Sequence, residues 1–154
     1  MSVSQELENV HKIIIQAHRE LFDESPSPMK LQKLCYYAQG YALAQNIKLF
    51  EEDFQAWQHG PVIYSLYNKY REYKWRPINE EIEITDNEHS DLIRDVVSAY
   101  GRFDGAALST MTHREQPWLS ARGDLDESEG CSESIQKDSL RDYFSRKLRV
   151  NEKE

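Results

Sequence analysis

Apolar side chains recur at intervals of three and four in several long segments of the chain, which is the period of one face of an α-helix. The first such segment covers residues 4–22. Its apolar positions are Leu7, Val10, Ile14, Ala17 and Leu21. This pattern predicts an amphipathic first helix with those side chains on the inner face.

A second helix is predicted directly after the breaking sequence DESPSP. Ser27 is suited to cap it, and Pro28 fits the first turn, where a missing N–H is harmless. Gly40 inside this helix costs about 1 kcal/mol relative to alanine, so we expect close packing against another backbone there. The predicted inner face comprises Leu31, Leu34, Cys35, Ala38, Ala42 and Gln45.

Two short segments alternate between apolar and polar residues, as half-buried strands do. The segment 53–58 (DFQAWQ) places Phe54 and Ala56 on one face. The segment 80–85 (EEIEIT) places Ile82 and Ile84 on one face and glutamates on the other. We expect these two segments to pair as a small antiparallel sheet.

Four further helices complete the predicted elements. One is expected to begin at Pro61, and one to follow a capping box formed by Thr85 and Glu88 and to end near Gly101. A short helix capped by Asp104 should reach about Thr112. The last, over residues 138–148, carries Leu140, Tyr143, Phe144 and Leu148 on one face.

The predicted fold class is therefore mainly α, or α+β with a small two- to three-stranded antiparallel sheet. We expect a single compact helical domain over residues 1–150, followed by a frayed tail at 151–154. Residues 122–133 are acidic and contain two glycines, so we expect an exposed loop there.

Charge and composition narrow the classes of function. The 154 residues include 27 acidic and 19 basic side chains, a net charge of −8, which disfavours non-specific binding to nucleic acids. No apolar run approaches transmembrane length, and the first ten residues are polar and acidic, so we expect a cytoplasmic protein. Cys35 and Cys131 form no C-x-x-C pair, and Cys35 is expected to be a buried thiol.

The sequence AWQHGPV at residues 56–62 raises the question of whether His59 has a chemical role. Gly60 and Pro61 are favourable residues at the start of a helix. The prediction is therefore that His59, Gly60 and Pro61 form a structural corner, in which His59 hydrogen-bonds a nearby backbone group.

A second candidate site is THREQPW, residues 112–118. His113 and Glu115 are two positions apart, so on a regular helix they point to different faces, and Pro117 favours a turn. Together with His59 they suggest a metal site or an acid–base pair. However, neither H-x-x-x-H nor H-E-x-x-H is present. We therefore expect His113 and Glu115 to cap the preceding helix and to tie it to the Trp118 turn, and we expect no cofactor.

Aromatic residues are concentrated in one part of the chain, and Tyr64, Tyr67, Tyr70 and Tyr73 repeat every three positions. Helical steps of 100° make these rings drift around the helix, so some of them must reach the surface. They either anchor a partner, together with Trp57 and Trp118, or cover a small core with their hydroxyl groups in water.

The basic residues of the last helix likewise either guide a charged partner or form a solvated face. These residues are Arg141, Arg146, Lys147 and Arg149.

Three segments in order carry a family resemblance: MKLQKLCYYAQGYALA, FQAWQHGPVIYSLYNKY and LSTMTHREQPWLSAR. They resemble the Panacea domain family of SocA-like antitoxins and phage-associated GepA-like proteins. The resemblance covers about residues 5–148. Cys35 stands where the family usually has an aliphatic residue, and the acidic loop at 123–130 is a further departure.

This resemblance implies a mainly helical protein that neutralises a cognate toxin, encoded by a neighbouring gene, by binding it. One branch of the family is also similar to proteolytic adaptors that deliver the toxin to an ATP-dependent protease. The resemblance implies no enzymatic activity. Two alternatives stay open at this point: a metal-dependent hydrolase that uses His59, His113 and Glu115, and a prophage-encoded regulator of host machinery.

Overall fold

The computed structural model describes residues 2–83, 85–126 and 128–152, with side chains described up to residue 149. Within these ranges the chain forms seven α-helices, one 3-10 turn and three short strands. In order they are α1 (Gln5–Phe22), α2 (Pro28–Ala44), β1 (Phe54–Trp57), β2 (Gly60–Val62), α3 (Tyr64–Tyr70), the 3-10 turn (Arg71–Tyr73), α4 (Ser90–Tyr100), α5 (Gly105–Thr112), α6 (Gln116–Arg122), β3 (Ser134–Ile135) and α7 (Lys137–Glu152). The predicted fold class is confirmed.

Helix α2 is the centre of the molecule. Every residue from Leu31 to Gly40 is buried, including the polar Gln32 and Lys33. Helices α1, α4, α5 and α7 pack around it, and β2 and α3 cover its first turns. A helix that is apolar around most of its circumference belongs in such a central position, because no face of it is left for water.

Three helix starts follow the capping rules. The hydroxyl of Ser27 accepts a hydrogen bond from the Lys30 amide, with Pro28 in the first turn of α2, as predicted. Asp104 caps α5 by accepting from the Ala107 amide at 2.8 Å, also as predicted. At α1 the hydroxyl of Ser4 accepts from the Leu7 amide at 3.1 Å.

The sheet is antiparallel with strand order β2-β1-β3. Ala56 pairs with Pro61, and Phe54 pairs with Ile135. The prediction of a strand near 53–58 is therefore correct, but its partners are residues 60–62 and 134–135. The predicted strand at 80–85 is wrong for residues 80–83 and 85, which lie in irregular chain; Ile84 is outside the described residues.

The segment around residue 80 is held by a side chain instead of a neighbouring strand. The guanidinium of Arg19 donates to the carbonyls of Ile78 and Glu80. The Ile78 amide in turn donates to the Pro26 carbonyl at 3.0 Å, and the Ile78 side chain is buried. These contacts from α1 and its following loop bind the backbone groups that strand pairing would need.

Two predicted helix starts are wrong. Pro61 lies in strand β2, and the helix that follows begins at Tyr64, because the Trp57–Gly60 pairing closes a hairpin first. Thr85 and Glu88 do not form a capping box: the Thr85 hydroxyl donates to the Glu83 carbonyl, and α4 begins only at Ser90. Its end at Tyr100, followed by Gly101, agrees with the prediction.

The inner faces of α1 and α2 are mostly as predicted, with three corrections. Leu21 is 51% exposed, because the buried face of α1 continues through His18 toward Phe22. Gln45 is exposed because α2 ends at Ala44. Gly40 makes its close approach to the ring of Phe144 on α7 and not to another backbone.

The C-terminal half carries the other predicted features. Residues 123–126 and 128–130 are exposed, as expected of an acidic loop, whereas Arg122 at its start is buried. In α7, Leu140 and Phe144 are buried, and Tyr143 and Leu148 are partly buried. Helix α7 continues through residues 151 and 152 of the predicted tail; residues 153 and 154 are outside the described residues.

None of the described helices combines the length and the apolar character that crossing a membrane requires.

Candidate functional site

The hairpin β1–β2 stands at the centre of the candidate site. Its turn consists of Gln58 and His59, and Gly60 closes it with a φ of +115°. A side chain at residue 60 is excluded on two grounds, because this φ favours glycine and because an added Cβ would lie 2.6 Å from Cε of Lys33. The sequence HGP therefore encodes a tight turn that lies directly on α2.

Side chains from three helices hold the backbone of this hairpin. Lys33 on α2 donates to the Pro61 carbonyl at 3.1 Å, and Ser109 on α5 donates to the His59 carbonyl. The indole N–H of Trp118 on α6 donates to the Trp57 carbonyl at 2.8 Å. The three sequence motifs that carry the family resemblance thus meet in space, and the hairpin is their common point of contact.

Gln32 and Arg122 extend this frame on either side of the hairpin. The side-chain carboxamide of Gln32 donates through its Nε2 to the backbone carbonyl of Ile63 at 3.0 Å. Its Oε1 accepts from the backbone N–H of Ile63 at 2.8 Å. Arg122 donates to the Ala56 carbonyl at 2.9 Å. Both side chains are buried, so these bonds are protected from water and fix the hairpin firmly.

His59 was predicted to orient the corner with its ring, and this detail is wrong. The ring is exposed on the turn, and the hydrogen bond at this residue is accepted by its backbone carbonyl. The structural role expected of Gly60 and Pro61 agrees with their positions in the hairpin, although the turn at Gln58 and His59 leads into strand β2 and not directly into a helix.

His113 and Glu115 end α5 in different ways. The His113 amide donates to the Ser109 carbonyl, and its ring stacks on Trp118 with a centroid separation of 4.3 Å, which ties the end of α5 to Trp118 as predicted. Pro117 lies in the first turn of α6. The Glu115 side chain does not cap α5. It turns toward α2, where its two oxygens accept from the hydroxyls of Tyr36 and Tyr37, each at 2.9 Å.

The Glu115 carboxyl is the centre of a buried polar cluster. Burial raises its pKa above the usual value, while the Lys147 ammonium, 3.8 Å away, and the tyrosine hydroxyls oppose that rise. Lys147 also lies over the rings of Tyr37 and Tyr100, which stack on each other at 4.0 Å. This basic residue of the last helix is therefore built into the core contacts and does not belong to a solvated face.

The donors proposed for a metal centre are separated by these contacts. The His59 ring is exposed on the turn, the His113 ring is stacked on Trp118, and the Glu115 oxygens are bound by tyrosines. In the part of the chain that the structure describes, no three His, Cys, Asp or Glu side chains approach closely enough to hold a metal ion.

Next to the hairpin, Trp57, Tyr64 and Tyr67 form a surface that we call the aromatic corner. The ring centroids of Trp57 and Tyr67 are 4.9 Å apart with their planes inclined by 61°, and those of Trp57 and Tyr64 are 6.3 Å apart. Tyr64 is 53% exposed and Tyr67 is 37% exposed. The prediction that some rings of this helix reach the surface is confirmed.

The other three aromatic candidates lie elsewhere. Trp118 and Tyr70 are buried; the Tyr70 hydroxyl donates to Glu80, and its ring meets that of His11 edge-on. Tyr73 is partly buried, and its hydroxyl donates to Asn79 at 2.9 Å. Three of the six proposed partner-binding residues are thus together on the surface, and Trp118 supports them from below.

A pocket of about 360 Å³ opens beside the aromatic corner, between the start of α2, the hairpin and the 3-10 turn. We call it the basic pocket, because His59, Lys33, Arg71 and Lys74 line it. Its apolar walls include Met29, Val62, Trp57 and Tyr67. Complete burial lowers the pKa of the Lys33 ammonium from its usual 10.5 to about 7.

The segments that build this site match a known protein family. Residues 31–119, more than half of the 154-residue chain, match the family described as "Antitoxin SocA-like, Panacea domain". The chain belongs to this family. No curated protein matches the chain, and no solved structure does. The Panacea match contains the whole hairpin and its supports Lys33, Ser109 and Trp118, whereas Arg122, α1 and α7 lie outside it.

The site of this Panacea protein contains residues that sequence reasoning missed. Lys33, Arg71 and Lys74 were not singled out, although Lys33 lies between Leu31 and Leu34 on a helix that has almost no polar face. A charged residue inside such a run is the one available signal, since Lys is rarely buried without a partner. Arg71 and Lys74 carried no comparable signal.

Proposed function

We propose that this protein is an antitoxin that neutralises a cognate protein toxin in the cytoplasm by binding it directly through the aromatic corner. Membership of the SocA-like antitoxin family supports a toxin as the partner. The observation that carries the proposal is the exposure of Tyr64 and Tyr67 on helix α3, beside a hairpin that the family's motifs hold in place.

The geometry of the aromatic corner suits a binding anchor. Tyrosine and tryptophan offer large contact areas at a small cost in conformational entropy and are enriched among interface residues with large energetic effects. Trp57 is fixed by its backbone bond to Trp118 and by its own indole N–H, which donates to Gln55 at 2.7 Å. A surface that is already ordered loses little further freedom when a partner binds.

Neutralisation by binding also agrees with the structural role of the buried polar cluster around Glu115. Both Glu115 oxygens accept hydrogen bonds from buried tyrosines, so the carboxyl serves the contact between α2 and the α5–α6 segment. Its neighbours Tyr36 and Tyr37 are themselves buried core residues. We therefore propose sequestration of the toxin and no catalytic step.

The test is co-purification of the protein with the product of the neighbouring gene, followed by measurement of the dissociation constant. Replacing Tyr64 or Tyr67 with alanine is expected to weaken binding by about 1–3 kcal/mol, which is roughly 5- to 150-fold. Tyr64→Ala should unfold close to the urea concentration of wild type, because Tyr64 is 53% exposed. Tyr67→Ala removes a ring that is 37% exposed and packs on Trp57, so it should unfold at a somewhat lower urea concentration but remain folded in the binding assay. Leu21→Ala, an exposed apolar residue on α1, is the matched control and should bind normally.

Normal binding by folded Tyr64→Ala and Tyr67→Ala variants contradicts the aromatic corner as the interface. Failure of the neighbouring gene product to bind wild-type protein contradicts the toxin assignment, and recovery of a host protein in its place favours a regulator of host machinery. Delivery to an ATP-dependent protease is a distinct mode, which shortens the toxin's half-life in cells, whereas sequestration leaves it unchanged or longer.

A further inference from the structure

The basic pocket holds cations without internal counterions. Among the described residues, none of Lys33, Arg71 and Lys74 has a carboxylate within ion-pair distance, although the chain carries a net charge of −8. The Arg71 guanidinium lies 5.6 Å from the Tyr67 ring, which places it beside the aromatic corner. A group of free cations in an acidic protein is a site of charge complementarity for an anionic partner.

Lys33 gives this pocket a specific polar contact. Its ammonium carries three N–H donors, and the acceptor that the described chain supplies is the Pro61 carbonyl at 3.1 Å. The side chain is almost fully buried and forms part of the pocket wall. An incoming acceptor binds the unused donors and stabilises the protonated form of Lys33, whose pKa is about 7 in the protein without a partner. A carboxylate is the strongest acceptor that a protein side chain offers.

We propose that the basic pocket receives an acidic segment of the partner protein, with one Asp or Glu side-chain carboxylate on Lys33 and neighbouring carboxylates on Arg71 and Lys74. The identity of the partner rests on the proposed function, whereas the chemistry of the pocket does not. The acidic segment extends the contact area of the aromatic corner, because Trp57 and Tyr67 belong to both surfaces.

The number of cations favours acidic side chains over a chain terminus. A C-terminal carboxylate brings one charge, and the pocket presents Lys33, Arg71 and Lys74 together. The apolar wall of Met29 and Val62 suits the aliphatic stem of a glutamate that reaches inward to Lys33. A segment with several adjacent acidic residues matches both the buried cation and the outer ones.

The first experiment uses three peptides and ¹⁵N-labelled full-length protein. The probes are acetyl-LEDEL-amide, its neutral counterpart acetyl-LQNQL-amide, and acetyl-LQNQL with a free C-terminal carboxylate. We expect acetyl-LEDEL-amide to shift the backbone N–H signals of Lys33, His59 and Arg71 in NMR spectra of the protein. It should also bind at least about tenfold more tightly than acetyl-LQNQL-amide. Equal binding of the two amides overturns the proposal, and preferential binding of the free carboxylate overturns the side-chain assignment.

The second experiment measures the neighbouring gene product against charge variants. Lys33→Met, and the surface pair Arg71→Gln with Lys74→Gln, are expected to weaken binding about tenfold or more each. Lys48→Gln removes an exposed lysine that pairs with Glu51 and is the matched control. The Arg71 and Lys74 variants keep the test decisive if Lys33→Met alters folding, because these two side chains lie at the surface.

The two experiments separate failure of the pocket from failure of the proposed function. In one outcome, toxin binding depends on Tyr64 and Tyr67 but is unchanged by all three charge substitutions. This outcome overturns the proposed role of the basic pocket and leaves the proposed antitoxin function intact. Specific binding of acetyl-LEDEL-amide by a protein that ignores the neighbouring gene product supports the pocket and overturns the toxin assignment. The protein could instead self-associate in a concentration-dependent way that the same charge variants abolish. That result would show that the pocket binds the acidic 123–130 loop of a second copy, and it overturns the partner assignment.

Discussion

Burial of Lys33 makes the free energy of unfolding depend on pH above neutrality. Its pKa is about 7 in the folded protein and 10.5 in the unfolded chain, and the cause is loss of hydration on burial. Between these values the unfolded chain holds a proton that the folded protein has released. Stability therefore rises with pH across this window, by at most about 1.4 kcal/mol per pH unit. Below pH 7 Lys33 is protonated in both states, so the full penalty for burying its charge lowers the free energy of unfolding.

Replacing Lys33 with methionine removes this dependence, because methionine keeps an unbranched side chain of similar length without a charge. Loss of the bond to the Pro61 carbonyl costs Lys33→Met stability at every pH. We expect the free energy of unfolding of the variant minus that of wild type to be highest at pH 6.5 and to fall as the pH approaches 10. Urea unfolding at pH 6.5, 8 and 9.5 measures the difference. Lys48→Met, at an exposed site, controls for the general titration of the chain, and a difference that stays constant with pH contradicts the assignment of the shift to Lys33.

At the scale of single residues, the sequence predicted two of three helix caps. Ser27 and Asp104 cap their helices as local chain geometry favours, whereas the capping box predicted from Thr85 and Glu88 does not form, because α4 begins only at Ser90. The direction of the Glu115 side chain depends on Tyr36 and Tyr37, about eighty positions earlier in the chain. Likewise, the periodicity of the tyrosines required some exposed rings, but it could not show that Tyr70 is the buried one, because His11 and Glu80 decide that.

Among the elements, α2 and α7 form the most extensive helix contact, in which Gly40 of α2 faces the Phe144 ring of α7. An added Cβ at residue 40 would fall inside the space of the Phe144 ring. Gly40→Ala therefore has two opposed effects. Alanine favours the helix by about 1 kcal/mol, and overpacking against the ring costs about 1–3 kcal/mol.

We expect the packing term to win, so that Gly40→Ala lowers the free energy of unfolding. In a Phe144→Leu background the smaller side chain relieves the overlap, and the same substitution should cost less or become stabilising. A double-mutant cycle measured by urea unfolding gives the coupling between the two positions, which should be at least about 1 kcal/mol. Additive effects would show that Gly40 is required for another reason.

The elements that the sequence predicted correctly are those whose own pattern is strong. The periodic apolar positions of α1, α2 and α7 identified these helices, the Asp104 cap identified α5, and the alternation in 53–58 identified β1. The segment 80–85 alternates as clearly, yet its described residues, 80–83 and 85, form no strand. Arg19 instead binds the carbonyl of Glu80 and that of Ile78, two positions before the segment. The partners of β1 were missed because β2 and β3 are too short to show a period.

At the scale of the whole molecule, the residues that match the family model are fewer than the residues that build the core. Residues 31–119 match the Panacea domain, but α2 is enclosed by α1 and α7 from outside that range. Leu7, Ile13, Ile14 and Ile15 of α1 are completely buried. Leu140 and Phe144 of α7 are equally inaccessible, and Phe144 touches the rings of Tyr36, Tyr37 and Tyr41.

We therefore predict that a fragment of residues 28–122, which contains the family match with α2 and α6 complete, does not fold by itself. Truncating one buried Leu, Ile or Phe side chain costs about 2–5 kcal/mol, and the fragment lacks six such side chains from α1 and α7. Six losses of this size amount to about 12–30 kcal/mol, against the roughly 5–15 kcal/mol by which a domain is typically stable. The fragment should show little helical circular dichroism, poor dispersion of amide NMR signals and no cooperative urea transition. The matched control is residues 2–149, which keeps all six side chains and should unfold in one transition near that of the full chain. Cooperative unfolding of the 28–122 fragment would show that α1 and α7 are additions to an independent Panacea core, and that the single domain predicted over residues 1–150 has a smaller folding unit within it.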